Sequence, residues 1–370
     1  MKKVRVLPVL LLACMLICTG CGAEQKAVQV NENVEDNSVE IGICFDSFVI
    51  ERWQRDRDIF VSYAKDLGAN VNVQNANGDV EEQRKQISYF IDKGVDALVI
   101  VPVDCSSLAD LVEQAKSKGI KVISYDRLIL NANVDLYISF DNAMVGNMMG
   151  NAIAKQNAFR VLMLNGPTAD HNVTMIEHEF KKVMSLKGIT ILDTYYVDGW
   201  TPEYASDYMF EHMDIVRQAD AIMCGNDDVA ASVIRTLAVN QMAGEKIVVG
   251  QDADLLACQH IVEGTQLMTV YKPVEKLASE AAKASFAMAS GQALENTLLI
   301  NDGIYDVPYI AIEPIAVDVS NMDSVIIESG FHSRDDVYLN VNVIAPDDDE
   351  SMLDELPEED ASESEDTTEE

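Results

Sequence analysis

Basic residues, aromatic residues and metal-binding patterns are all scarce in this sequence of 370 residues. Its 27 lysines and arginines stand against 62 aspartates and glutamates, and the formal net charge of −35 excludes a protein that binds the phosphate backbone of nucleic acids. The five histidines are scattered, and the sequence shows no glycine-rich phosphate loop and no paired nucleophile and base. These absences predict a protein that is not an enzyme and that uses neither a metal nor a cofactor.

Cysteine usage in the body of the chain also argues against a metal site. The cysteines there have no metal-ligand spacing and no histidine cluster beside them; they are Cys44, Cys105, Cys224 and Cys258. We interpret them as small apolar residues in or near the core, and a disulfide between two of them is the alternative.

The amino terminus has the composition of an export signal. Basic residues at the start precede Val6–Ile17, a nearly unbroken apolar run that is too short to span a bilayer. The run is followed by Thr19-Gly20-Cys21, which resembles the lipobox of bacterial lipoproteins. In that motif the cysteine is lipidated and becomes the first mature residue.

We therefore predict a signal peptide over residues 1–20, lipid on Cys21 and a polar tether over residues 21–38. Such an anchor would hold the protein at the outer face of the cell membrane. Cys14 completes a second lipobox-like motif, but cleavage there would leave an apolar terminus. An ordinary cleaved signal peptide is the other alternative.

The carboxyl terminus is strongly acidic. Residues 346–370 contain fourteen acidic residues, no basic residue and no aromatic residue. Such a segment cannot bury enough apolar surface to offset its chain entropy, so we predict a disordered, solvating tail. A docking segment for a partner is the alternative.

Between these ends, short apolar segments alternate with longer amphipathic ones, such as a predicted helix over Tyr204–Val216. The alternation predicts a parallel α/β fold, because strands that are covered by helices on both faces are apolar throughout. The segment from Asp96 to Asp126 recurs in outline as the segment from Asp220 to Asp252. We therefore predict two similar doubly wound lobes, with a ligand beyond the carboxyl ends of the strands.

Several short motifs resemble the D-xylose-binding branch of the type 1 periplasmic sugar-binding protein family. They occur in order along the body of the chain and include Arg52-Trp53-Gln54-Arg55-Asp56, Gln74-Asn75-Ala76-Asn77-Gly78, Ser124-Tyr125-Asp126-Arg127, Val197-Asp198-Gly199-Trp200, Gly250-Gln251-Asp252-Ala253-Asp254 and Met268-Thr269-Val270-Tyr271-Lys272-Pro273. The resemblance implies two lobes that are joined by a three-segment hinge and close on a sugar. Sugar-responsive repressors share these lobes, but they carry a helix-turn-helix where this chain has its predicted signal peptide.

The resemblance also implies how the chain is divided. The N-terminal lobe comprises residues 39–140 and about 273–302, and the C-terminal lobe comprises residues 141–272 and about 303–338. The crossings of the hinge would fall near Ser139–Asp141, Val270–Pro273 and Asn301–Asp306.

A sugar-binding site needs charged or amide groups that hydrogen-bond adjacent hydroxyls, and an aromatic ring against an apolar face of the sugar. The predicted strand ends and the resemblance together give the candidates Arg52, Trp53, Asp126, Arg127, Asn172, Trp200, Asn226, Asp252 and Lys272. Neither tryptophan stands at a core-like strand position. Asp227 is predicted to cap the helix that follows it.

Two of these assignments have an alternative in which the residue is structural and does not contact the sugar. Asp126 and Arg127 are adjacent in sequence, and a structural ion pair elsewhere is the alternative to a role in the site. Lys272 either binds a hydroxyl group of the sugar or only stabilises the hinge.

The resemblance implies an extracytoplasmic receptor that captures an aldopentose, in particular D-xylose, and delivers it to the permease subunits of an ABC importer. The alternative is a receptor that presents the sugar to a membrane sensor kinase or a chemoreceptor. A monomer that is attached to the membrane through its lipid is expected in both cases.

Mass spectrometry of the amino-terminal peptide of membrane-extracted protein should find a diacylglyceryl group on Cys21, because the apolar run ends there and polar residues follow. Cys21→Ser should abolish the modification and release the protein from the membrane, whereas the matched variant Cys14→Ser should leave the lipid in place. An unmodified terminus, or lipid on Cys14, would contradict the assignment.

Overall fold

Two β-sheets organise the part of the chain that the structure, a computed structural model, describes: residues 38–48, 52–295 and 297–341. The predicted signal peptide, the predicted lipid site at Cys21 and the acidic tail at 346–370 lie outside these residues. Within the described residues, no helix has the length and apolar character needed to cross a membrane.

Strands and helices alternate along the described chain. The strands are β1 (Glu40–Phe45), β2 (Asn70–Asn75), β3 (Ala97–Ile100), β4 (Lys121–Tyr125), β5 (Leu136–Phe140), β6 (Arg160–Asn165), β7 (Thr190–Tyr196), β8 (Ala221–Cys224), β9 (Ile247–Gln251), β10 (Met268–Tyr271), β11 (Leu298–Asn301), β12 (Asp306–Ile312) and β13 (Ile315–Val317). The helices are α1 (Arg52–Asp66), α2 (Val80–Lys93), α3 (Ala109–Ser117), α4 (Asn142–Ala154), α5 (His171–Lys187), α6 (Pro202–Glu211), α7 (Met213–Gln218), α8 (Asp227–Val239), α9 (Leu255–Val262), α10 (Val274–Ala289) and α11 (Arg334–Val337).

Both sheets have the strand order of a doubly wound fold. The first sheet runs β11-β12-β5-β4-β3-β1-β2 and the second runs β13-β10-β9-β8-β6-β7. All pairings are parallel except those of β11 with β12 and of β13 with β10. The predicted fold class is confirmed, and we call the lobes built on these sheets the first lobe and the second lobe.

Helices cover both faces of each sheet, which explains why the central strands are apolar throughout. In β3, Val99 faces the cluster formed with α1 and α10, and its neighbour Leu98 faces the cluster formed with α2 and α3. In β6 of the second lobe, Met163 and Leu162 divide in the same way between two clusters. Each such side chain contributes about 1.5–3 kcal/mol when it is fully buried.

The chain passes between the lobes three times. The first passage follows β5 at Asp141 and the second follows β10 at Lys272-Pro273, within the predicted ranges. The third differs from the prediction, which placed it at Asn301–Asp306. In the structure β12 pairs with β5 of the first sheet, so the chain passes to the second sheet between Ile312 and Ile315.

The predicted third crossing is instead the turn of a hairpin that is anchored in the first lobe. The buried carboxylate of Asp302 accepts hydrogen bonds from the backbone nitrogens of Ile304 and Tyr305 within the turn. It also accepts from the backbone nitrogens of Ala132 and Asn133, at 3.0 and 2.8 Å. One aspartate therefore ties this turn to the loop before β5, a contact that local sequence patterns do not specify.

Two further local predictions have definite outcomes. The helix predicted over Tyr204–Val216 is broken at His212, whose ring nitrogen lies 2.9 Å from the carbonyl oxygen of Tyr208 and whose ring stacks on that tyrosine. The four cysteines of the body are buried free thiols, so the disulfide left open by the sequence does not form among them.

Candidate functional site

A cavity with an empty volume of about 380 Å³ lies between the two lobes. The structure brings all nine predicted site residues to its wall: Arg52, Trp53, Asp126, Arg127, Asn172, Trp200, Asn226, Asp252 and Lys272. Asp170, Val173, Ile176 and Gln251 complete the lining. The residues that were predicted from the sequence therefore line one cavity, and their role in sugar binding stays a prediction.

Strand ends place four of these nine side chains. Asp126 and Arg127 follow β4, Asn226 follows β8, and Asp252 follows β9. The carboxyl ends of parallel strands share one edge of their sheet, and the two edges face each other across the cleft. Asp126 and Asp252 also share a left-handed backbone, with φ of 63° and 102°.

That backbone conformation is costly for a residue other than glycine and must be held by its surroundings. The carbonyl oxygen of Asp126 accepts hydrogen bonds from the hydroxyls of Tyr137 and Ser139 and from the amide nitrogen of Asn172, at 3.0, 2.5 and 3.1 Å. The turn after β4 is therefore fixed with its carboxylate directed to the cavity wall.

Arg52 lies in a buried cluster with two carboxylates of the first lobe. Its guanidinium donates to Asp126, and its Nε lies 3.8 Å from Asp56. Burial disfavours the charged guanidinium, but the two carboxylates outweigh that effect and raise the pKa of Arg52. Burial also opposes the charged form of Asp126, yet Arg52, Lys272 and Arg127 together lower the pKa of this carboxyl.

Asp56 is the member of this cluster that is poised to change its charge. Burial raises its pKa to about 7, although Arg52 and a hydrogen bond from the hydroxyl of Tyr125 both oppose the rise. Burial therefore brings the titration of this carboxyl toward neutral pH, and its ion-pair partner Arg52 lines the cavity.

Arg127 lies between carboxylates from both lobes. Its Nη1 donates to Asp46 of the first lobe at 2.6 Å and to the carbonyl oxygen of Pro102 at 3.1 Å. Its Nε lies 2.7 Å from a carboxylate oxygen of Asp170, which belongs to the second lobe. Burial dominates at Asp170 and raises the pKa of its carboxyl in spite of the arginine.

Lys272 and Asp252 form a buried ion pair at the second crossing, with 2.9 Å between Nζ and Oδ1. The alignment is poor for a hydrogen bond, so Oδ1 of Asp252 keeps its accepting capacity. Both Lys272 and Arg52 also lie over the ring of Phe140, at 5.9 and 5.5 Å from its centre. The lysine therefore contacts the hinge and the cavity at once.

The two tryptophans are held differently. Trp200 packs on Gly166, where a Cβ atom would lie 2.2 Å from the indole ring, so only glycine fits beneath it. Trp53 is almost completely buried and belongs to the core of the first lobe, contrary to the expectation from its position in sequence. Its ring also lies under the guanidinium of Arg52, 4.2 Å from the ring centre.

Several buried polar atoms in the cavity wall lack a hydrogen-bond partner within the described chain. The donors are Nη1 of Arg52, Nε of Arg127 and the indole nitrogens of Trp53 and Trp200, and the acceptors include Oε1 of Gln251 and Oδ1 of Asp252. Leaving such groups unpaired costs about 1–3 kcal/mol each. The wall is therefore suited to a ligand whose hydroxyl groups both donate and accept.

The helix α8 is capped by Asn226 and not by Asp227, which corrects the prediction. Oδ1 of Asn226 accepts from the backbone nitrogen of Val229 at 2.9 Å, and this leaves its amide nitrogen as a donor for a ligand. The carboxylate of Asp227 is buried beneath the cavity, where it accepts from Thr269 and Gln266.

Asp170 and Gln251 are the polar wall residues that were not chosen from the sequence. Asp170 stands two residues before Asn172 and looks like an ordinary helix cap, which it also is. Gln251 lies within a buried β-strand, where a polar residue is uncommon. A polar residue in this otherwise apolar strand was the feature of the sequence that could have indicated a place in the cavity wall. Its Nε2 donates to the carbonyl oxygen of Gly225, which fixes its amide and leaves Oε1 for a ligand.

Comparison with known proteins gives consistent results. Residues 41–293 match the family described as a periplasmic binding protein domain. The chain is 37% identical over 314 residues to the D-xylose-binding periplasmic protein of Haemophilus influenzae, covering 83% of this chain and 95% of that protein. It is also 37% identical over 332 residues to the D-xylose-binding periplasmic protein of Escherichia coli, covering 87% and 98%.

Solved structures agree with the fold. A carbohydrate transporter solute-binding protein from Chloroflexus aurantiacus in complex with D-glucose superposes with a TM-score of 0.74 at 26% identity, covering 81% of this chain and 98% of that one. An ABC transporter solute-binding protein from Clostridium phytofermentans with bound β-D-glucose gives 0.72 at 28% identity, covering 80% and 99%. The predicted resemblance is confirmed, and so is the prediction of a binding protein in place of an enzyme.

Asp56 should make folding stability depend on pH. Its folded-state pKa of about 7 is above its ordinary value of 3.8, so its favourable contribution is complete below pH 3.8 and is lost as the pH rises through 7. Urea unfolding between pH 5 and pH 7 should therefore show Asp56→Asn gaining on the wild type, by at most about 1.4 kcal/mol per pH unit. The exposed Asp58→Asn on the same helix should follow the wild type. Parallel profiles for Asp56→Asn and the wild type would contradict the raised pKa.

Proposed function

The chain belongs to the periplasmic binding protein family, and on that premise we propose that it captures the aldopentose D-xylose outside the cytoplasmic membrane and delivers it to the permease of an ABC importer. The identity of 37% to two D-xylose-binding periplasmic proteins supports the choice of sugar. Anchoring through a lipid on Cys21 and delivery by a monomer are parts of the same proposal.

The set of unpaired donors and acceptors around the cavity carries this proposal. A pyranose has hydroxyl groups that each donate and accept, and a ring face that is apolar. The donors of Arg52, Trp53 and Trp200 and the acceptors of Gln251 and Asp252 match the hydroxyls. The indole of Trp200, seated on Gly166, supplies a flat apolar surface of the kind that packs on a sugar ring.

The charges of the wall favour a neutral ligand. Each cation has at least one carboxylate partner: Arg52 has Asp126 and Asp56, and Lys272 has Asp252. Arg127 has two carboxylate partners of its own. A ligand with a carboxylate or phosphate would have to compete with these partners, whereas a hydroxyl can share them through charge-assisted hydrogen bonds.

The choice between xylose and glucose depends on space. Glucose differs from xylose by a hydroxymethyl group, and the rings of Trp53 and Trp200 and the side chain of Arg52 lie together at the wall of a cavity of about 380 Å³. The buried Arg52 and Trp53 are fixed by the core and by ion pairs, so they cannot move aside without loss of packing. A hydroxymethyl group would therefore be crowded.

Titration calorimetry with a panel of pentoses and hexoses tests the proposal. D-Xylose should bind most tightly, and D-glucose and D-ribose should bind much more weakly. Equal or tighter binding of glucose or ribose would contradict the xylose assignment and would leave a sugar-binding site, whereas no binding of any sugar would contradict the proposed function as a whole.

Asp252→Asn should weaken xylose binding by on the order of ten- to a hundredfold, because a charged acceptor in a water-excluded cleft contributes about 1.5–3 kcal/mol. Calorimetry gives the affinity, and thermal unfolding shows that the fold is retained. Asp220→Asn is the matched control, since Asp220 pairs with Arg160 on the exposed opposite side of the same lobe. An Asp252→Asn variant that binds like the wild type would place the site elsewhere.

A further inference from the structure

The first turn of α5 contacts the first lobe directly, without a ligand between them. Asp170 is ion-paired with Arg127, and the amide nitrogen of Asn172 donates to the carboxylate of Asp126 at 3.1 Å. The carbonyl oxygen of Ala169, just before this turn, accepts from the backbone nitrogen of Cys105 at 3.3 Å. These three contacts join the second lobe to the first at one point beside the cavity.

The two carboxylates on Arg127 differ in one respect. Asp46 belongs to the same lobe as Arg127, so this ion pair can persist whether the cleft is open or closed. Asp170 belongs to the other lobe, and its ion pair with Arg127 can form only when the cleft is closed. The side chains of all three residues are less than a tenth exposed, so the interlobe ion pair is shielded from solvent.

We propose that Asp170 is a positioning residue that holds the cleft closed through Arg127, independently of any contact between Asp170 and the sugar. Its ion pair with Arg127 joins the two lobes directly, so it favours the closed state before the sugar arrives. A ligand gains apparent affinity in proportion to the fraction of protein that is already competent to bind it. Asp170 should therefore set both how closed the sugar-free protein is and how slowly the sugar leaves.

The physical basis is electrostatic. An ion pair within a shielded cleft is stronger than one in water, but two charges must first be dehydrated. Here Arg127 already has the carboxylate of Asp46 and the carbonyl oxygen of Pro102 as partners within its own lobe, so the cost of closure falls mainly on the dehydration of Asp170. The rise in the pKa of Asp170 on burial agrees with this one-sided cost.

The charge of Asp170 can be removed while its helix cap is kept. Its Oδ1 accepts from the backbone nitrogen of Asn172 at 3.0 Å, a bond that an asparagine side chain also makes. Asp79 gives a matched control, because it caps α2 with nearly the same backbone, φ −97° and ψ 113° against φ −96° and ψ 112° for Asp170. Asp79 is exposed and does not line the cavity, so Asp79→Asn changes a helix cap and leaves the cavity wall intact.

Small-angle scattering of the sugar-free protein tests the proposal without assuming which sugar it binds. Asp170→Asn should increase the radius of gyration, whereas Asp79→Asn should not. Asp46→Asn should leave the sugar-free protein compact, because the pair between Arg127 and Asp170 remains. Circular dichroism must show that each variant is folded, and Asp170→Glu, which keeps the charge, should restore part of the compaction.

A second measurement rests on the proposed function. The chain has only two tryptophans, and both line the cavity, so stopped-flow tryptophan fluorescence follows closure on D-xylose directly. The Asp170→Asn variant should release D-xylose faster than the wild type, and it should bind D-xylose about tenfold or more weakly.

Scattering curves for Asp170→Asn and the wild type that coincide without sugar would overturn the proposal. So would an expansion of Asp46→Asn as large as that of Asp170→Asn, since that would assign the effect to the orientation of Arg127 within its own lobe. A failure of xylose to bind would contradict the proposed sugar alone and would leave the scattering result to decide the role of Asp170.

Discussion

The buried cations of the cleft impose the constraint on which the site depends. Arg52, Arg127 and Lys272 all lie within the protein, and a buried cation is tolerated only with a partner of opposite charge. The carboxylates that neutralise them come from α1, from the ends of β1, β4 and β9, and from the cap of α5. The same pairs that make burial of the cations possible also fix the positions of the groups that a ligand would meet.

This constraint connects the two lobes. Most of the pairs lie within one lobe, but the guanidinium of Arg127 and the carboxylate of Asp126 each bond to the first turn of α5 in the other. Phe140, at the first crossing, lies beside the cations of both Arg52 and Lys272. The closure proposed above would therefore complete this charge network between the lobes.

Left-handed backbone conformations occur at the same place. Asp126 and Asp252 occupy left-handed conformations at equivalent strand ends, and Trp200 is in the same region with φ of 58°. At two of these residues fixed neighbours hold the conformation: hydroxyl and amide groups donate to the carbonyl oxygen of Asp126, and the indole of Trp200 packs on the backbone of Gly166. Rigid placement of this kind lowers the ordering cost of binding, because the polar groups already have their bound orientation.

The pattern of the sequence predicts the fold class and part of the cavity wall, and the family resemblance adds the remaining candidates. Apolar strands that alternate with amphipathic helices allow few arrangements, and polar residues that follow parallel strands must meet at one edge, so Asp126, Asn226 and Asp252 could be placed together from pattern alone. Which groups pair across that edge depends on contacts that form only in the folded chain. The partners of Arg127 lie 81 and 43 positions away in the chain, and the local role of Asp170 as a helix cap conceals its distant contact with Arg127.

The prediction of the third crossing between the lobes was wrong for the same reason, since the contacts of Asp302 with Ala132 and Asn133 span about 170 residues. Local patterns report the periodicity of burial, whereas the pairing of charges depends on distances that exist only after the chain has folded.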